Sequence, residues 1–143
     1  MRTSRNQEIK FLSLLSEKMV NQRMARLHLG MTPAQSMIMM DLYEAQRPLI
    51  QKEIEKRLYI SHATTRGIIK RLQQAGMVVT TPLPTDQRQV QVRLTDEGRK
   101  RMSDKAGQIT QVLDAAEDQL VQGINEEDLA TFDRVLKKMK ANF

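Results

Sequence analysis

The sequence predicts a mainly helical fold with one small β-wing: a winged helix-turn-helix lobe joined to a helical lobe that pairs two copies of the chain. Three observations carry that expectation. The hydrophobic period is helical over most of the 143 residues but changes to alternation at 89–94, QVQVRL. Immediately before the change stands a basic helix with an apolar underside. Immediately after it, Met102, Ala106, Ile109, Leu113, Ala116 and Leu120 recur at alternating four- and three-residue steps, the seam of a helix that packs lengthwise on another.

Composition narrows the chemistry. Hydrophobic residues make up 40% of the chain but aromatic ones only 3%, so Leu, Ile, Val and ten Met must build the core. So few rings argue against stacking on unpaired bases. With no Cys and only two His (His28 and His62), thiolate nucleophiles, zinc-thiolate clusters and dense metal sites drop out, and neither a metal nor a cofactor is expected. No Ser-His-Asp pattern or glycine-rich phosphate loop occurs, which disfavours an enzyme. No stretch of about 18 apolar residues is present, and a cytoplasmic bacterial or archaeal protein is expected. The net charge of +6 is localised: residues 47–94 hold nine basic and three acidic groups, against six and four in 1–46 and eight and ten in 95–143. A local excess of cations is what counterion release from a phosphate backbone requires.

Taken in order, residues 6–29 place Ile9, Leu12, Leu15, Met19, Val20, Met24 and Leu27 at helical spacing, closed by Gly30. Thr32-Pro33-Ala34-Gln35 reads as a capping-box start for a second helix reaching Gln46, apolar nearly all round and so destined for the core. Leu49-Ile50 makes a minimal strand and residues 51–58 a short helix. Ser61 caps the next helix, which ends at Gly76, a residue suited to a left-handed C-terminal stop. Residues 77–81 and 89–94 pair as a hairpin across the turn-rich 82–86, with Val90, Val92 and Leu94 on its covered face. Thr95 caps a long helix carrying the seam. Asn125 caps a last one, with Glu126, Glu127 and Asp128 in its first turn and Lys137, Lys138 and Lys140 in its last, both matching the helix dipole.

At about 100° per residue, Thr65, Ile68, Ile69 and Leu72 fall on the packed side of the basic helix, leaving Ala63, Arg66, Gly67, Lys70 and Gln74 outward. Its first turn offers Ser61, His62 and Thr64, and a helix start suits phosphates and base edges. Gln51 and Lys52 open the preceding helix, where they would hold a phosphate. At the ribbon tip Asp86 can form the turn and orient Arg88, beside Gln87, so that the guanidinium reaches a narrow minor groove.

These segments together resemble the MarR-type (SlyA-like) winged-helix regulators over essentially the whole chain. The most specific piece is Asp86-x-Arg88, followed by Val90, Val92 and Leu94-Thr95-x-x-Gly98, which is similar to that family's wing signature. The resemblance implies a single domain over 1–143. Its DNA-binding lobe would be 32–94, and 1–31 and 95–143 would interlock with a second copy through Ile9, Leu12, Ile109, Leu113, Leu120, Phe132 and Leu136. It implies a ligand-responsive repressor of double-stranded DNA, with Met19, Met37, Met40 and Tyr43 lining a site for a small aromatic or amphiphilic effector. One departure stands out: Gly67 occupies a place where the family commonly carries Arg. A sequence-tolerant architectural DNA binder and a winged-helix protein-interaction module are the alternative readings.

Overall fold

The computed structural model describes residues 4–143. In chain order these form α1 (Arg5–Ala25), α2 (Pro33–Ala45), β1 (Leu49–Ile50), α3 (Gln51–Leu58), α4 (His62–Gln74), β2 (Val78–Leu83), β3 (Asp86–Leu94), α5 (Asp96–Leu120) and α6 (Glu126–Lys140). The chain divides into two compact units, residues 21–110 and residues 1–20 with 111–143, and α1 and α5 contribute to both.

In the 21–110 unit, local signals set the helix starts. Thr32 Oγ1 accepts from the Gln35 N–H at 3.1 Å while Gln35 Oε1 accepts from the Thr32 N–H at 3.0 Å, the reciprocal capping box that starts α2. α1, by contrast, stops at Ala25 rather than at Leu29. Beyond it the hydrogen bonds shorten to three-residue steps, and His28 and Gly30 take φ of 48° and 69°. Hydrophobic spacing continued through Leu27 and Leu29 because those side chains pack inward from the turn as well.

The sheet runs β1-β3-β2, antiparallel throughout, with Leu49 opposite Val92 and Val78 opposite Leu94. β2 extends through Pro82 to Leu83, two residues past the expected strand end. As an edge strand it can leave one side unpaired, so a residue without an N–H costs it no ladder bond. α2 packs against α3, α4 and β3, and the shared core comprises Ile38, Met39, Leu42, Leu49, Ile54, Leu72, Val78 and Val92, all almost fully buried. Asp41 of α2, also buried, accepts from Arg57 Nε of α3 at 2.8 Å and ties the two helices together.

α5 begins where the wing ends, through an unusually close approach. The Thr95 hydroxyl donates to the Gly76 carbonyl at 2.6 Å and accepts from the Gly98 N–H at 3.0 Å, and the Thr95 N–H donates to the Met77 carbonyl at 3.0 Å. A Cβ added at Gly98 would collide with that same Met77 oxygen. Glycine is required here for space, not for a special backbone angle.

Among the described residues of the second unit, Ala116 is the only buried one. Ile9, Phe11, Leu12, Leu14 and Leu15 on α1, Leu120 at the end of α5 and Phe132 on α6 each expose 40% or more of their surface. Asn125 caps α6 by accepting from the Asp128 N–H at 2.8 Å. Among the expected pairing residues, Leu113 and Leu136 are half-buried. Ile109 corrects the sequence reading: it is fully buried within the single chain, so it offers no surface to a second copy. The seam is buried at Met102 and Ile109, both in the part of α5 that belongs to the 21–110 unit.

Candidate nucleic-acid interface

The start of α4 is built by Ser61. Its Oγ accepts from the Thr64 N–H at 3.2 Å and donates to Thr64 Oγ1 at 2.8 Å, while its carbonyl accepts from the buried Thr65 hydroxyl at 2.8 Å. Ser61 and Thr64 are therefore exposed but tied to each other, leaving the His62 and Ala63 N–H groups as the outward donors of the first turn. Thr65, Ile68, Ile69 and Leu72 are buried, as the periodicity requires, and Ala63, Arg66 and Lys70 are exposed. Gly67 lies on this outward side with no atom within 4 Å of where its Cβ would stand.

α3 is held at its own start by Glu53, which accepts from the Ile50 N–H at 2.8 Å and pairs with Arg47 at 2.9 Å. The Arg47 hydrogen bond, followed by the Ile50 N–H, keeps the Glu53 carboxyl below the usual carboxylate range. Gln51 and Lys52 then lie in the first turn of α3, Lys52 exposed and Gln51 half-buried.

The wing tip is irregular. Pro82 faces Val90 but Leu83 faces Asp86, so Gln87, Arg88 and Gln89 have no counterpart on β2 and bulge from the ladder. Asp86 gathers this bulge: Oδ1 accepts from the Arg88 N–H at 3.1 Å and from Arg88 Nε at 3.2 Å, and Oδ2 accepts from Gln89 Nε2 at 3.3 Å. The Arg88 backbone bond, then its guanidinium, then the Gln89 amide hold the Asp86 carboxyl below its ordinary value. The Arg88 side chain itself remains 92% exposed, and Gln87 is exposed beside it. The expected turn role and orienting role of Asp86 are thus one geometry.

These pieces meet in an open cleft of about 480 Å³ between α3, the start of α4 and β3. Ile50 and Val90 form its apolar floor, and Gln51, Lys52, Glu55, His62, Arg66 and Arg88 its polar walls. Four of those walls are cationic or can become so. Glu55 is the wall residue that sequence reasoning missed, although its four-residue spacing from Gln51 places both on one face of α3. A second cleft, about 430 Å³, lies at the turn between α1 and α2 and is lined by Met24, His28, Leu29, Met31, Pro33 and Gln35 among others. Neither cleft takes in Met19, Met37, Met40 or Tyr43, the expected effector wall. Met40 on α2 is buried in the core, and Met37 and Tyr43 on α2 and Met19 on α1 are half-buried.

Residues 29–89, which carry this cleft almost entirely, match the sequence model of the MarR family. A 72-residue stretch, half of this chain, is 36% identical to the HTH-type transcriptional regulator TtmR of Methylorubrum extorquens. The stretch spans 36% of that relative's length. The fold likeness extends well beyond the segment. The S. aureus MepR–DNA complex superimposes with a TM-score of 0.78, covering 99% of this chain and all of that one at 21% identity. Bordetella bronchiseptica BpsR, whose DNA binding is regulated by 6-hydroxynicotinic acid, matches with a TM-score of 0.69 at 24% identity, covering 96% and 93%.

Proposed function

We propose that this chain is a sequence-specific, double-stranded DNA-binding transcriptional regulator of the MarR family, a repressor that works in the cytoplasm as a homodimer on a pseudo-palindromic operator. The observation that carries this reading is the single cleft that brings Lys52, His62, Arg66 and Arg88 together beside the outward start of α4. Helix α4 would enter the major groove, with Arg66, Lys70 and Ala63 toward base edges. Lys52 and the free N–H groups of the first turn would hold phosphates, and Arg88 would reach the minor groove. Ser61 and Thr64, already bonded to each other, act through the cap they form.

The homodimer is supported by the row of exposed apolar side chains on α1, α5 and α6, including Ile9, Leu12, Leu120 and Phe132. Covering them in a second copy would remove them from water at roughly 25 cal/mol per Å². Two recognition helices would then lie about one helical turn of DNA apart. A small aromatic or amphiphilic effector would act by favouring a dimer whose spacing no longer fits the operator.

The test is selection of bound sequences from a random duplex pool, followed by titration of the selected duplex against salt. A specific complex is expected, its log affinity falling with log salt by roughly 0.9 for each phosphate neutralised. Retention of random duplex as strongly as selected duplex would mean an architectural binder, and no retention of either would mean a protein-interaction module.

Gly67 gives a sharper probe. The space around it is open, so Gly67→Ala should stabilise α4 by about 1 kcal/mol in a urea melt. Its bare backbone would also let DNA approach closely, so the same variant should bind the selected duplex less tightly. Unchanged binding would remove Gly67 from the interface.

A further inference from the structure

Glu55 and His62 meet across the short turn that joins α3 to α4. Glu55 Oε1 lies 2.6 Å from His62 Nδ1 and 3.0 Å from Gln51 Nε2, and those two nitrogens are 3.2 Å apart. An ionised carboxylate only accepts, so Nδ1 carries the proton, and the Gln51 amide donates to the same oxygen rather than to the ring. The Glu55 side chain is 17% exposed and that of His62 72%, so the carboxylate is drawn into the turn while the imidazole stands out in the cleft. Glu55 is also the one acidic wall of that cleft; its charged neighbours there are Lys52 on α3, Arg66 on α4 and Arg88 on the wing.

An acid on a phosphate-facing surface ordinarily weakens binding by repulsion. We propose that Glu55 is instead a positioning residue for DNA recognition: it locks His62 with the proton on Nδ1 and so presents Nε2 to the duplex from the first turn of α4. This rests on the DNA-binding reading above. In the neutral ring Nε2 is an acceptor; in the charged ring it becomes a donor, suited to a phosphate oxygen or to guanine N7 and O6. Duplex phosphates are acceptors only, so a bound duplex favours the charged ring over the neutral one. Affinity therefore rises as pH falls across the range in which histidines titrate, about pH 5 to 8.

The experiment measures binding of the full chain to the selected duplex over that pH range, with a thermal melt of each variant at both ends. Wild-type chain is expected to bind more tightly at the acid end. His62→Gln should flatten the profile. Glu55→Ala should weaken binding roughly tenfold, the scale of one lost contact, even though it removes a negative charge from the DNA-facing cleft. Glu55→Gln should recover much of that affinity, because its amide oxygen still accepts from Nδ1–H. Equal or tighter binding by Glu55→Ala, or a wild-type profile in His62→Gln, overturns the proposal. Loss of duplex binding by the wild-type chain at every pH overturns the DNA-binding reading instead. Should Glu55→Ala melt well below wild type, the recovered affinity of Glu55→Gln and the flattened pH profile of His62→Gln decide the proposal.

Discussion

Gly98→Ala should lower the unfolding free energy by about 3 kcal/mol, the upper part of the range for forcing an extra carbon into a packed site. For a chain of this size that is a fall in melting midpoint of roughly 10 °C, read by circular dichroism. The reason is what the new methyl would meet: the Met77 carbonyl oxygen, a backbone atom that cannot rotate aside. That carbonyl already accepts from the Thr95 N–H, so moving it also strains the junction by which β2, the wing and α5 are joined. Gly107→Ala in the same helix is the control, since nothing lies within 4 Å of its added carbon and a gain of about 1 kcal/mol is expected. A wild-type midpoint for Gly98→Ala would mean that α5 can slide off Met77 without cost.

Arg88→Ala should weaken binding of the selected duplex by about 1 to 3 kcal/mol, roughly fivefold to somewhat over a hundredfold, with no loss of folding stability. The side chain is 92% exposed, so its removal leaves no cavity. What it loses is a guanidinium held at the tip of a bulge by Asp86. The salt slope should shrink by about one contact if Arg88 meets phosphate, whereas an unchanged slope with reduced affinity would place it on base edges in the minor groove. Acid should disturb the same tip. The Asp86 carboxyl is depressed in the folded chain, so its hold on Arg88 is complete above the ordinary carboxylate value near 4 and is lost as pH falls through the depressed one. Equal duplex affinity for wild type and Arg88→Ala would take the wing out of the interface.

Much of the fold was legible because its signals are local. The Thr32–Gln35 box, the Ser61 cap, Gly76 beyond α4 and the Asn125 cap each depend on residues within a turn of one another, and each forms as the spacing predicts. The buried side of α4 follows from a helical period over thirteen residues. The candidate site was legible in part: Lys52, His62, Arg66 and Arg88 do share one cleft. A methionine run states hydrophobicity and leaves open which core or wall it fills.

The sequence by itself determined the helix order, the position of the ribbon, the basic middle third and the cationic side chains that line the cleft. Tertiary structure alone decided that Ile109 is buried within the single chain, that three wing residues bulge to present Arg88, that Gly98 must abut Met77 and that Glu55 reaches His62. The division follows from range. Caps and periodicity act between residues no more than about four apart, where chain geometry leaves few arrangements. Contacts between separate elements depend on how whole faces pack, and many registers satisfy the same hydrophobic pattern until side-chain volumes and hydrogen-bond partners choose among them.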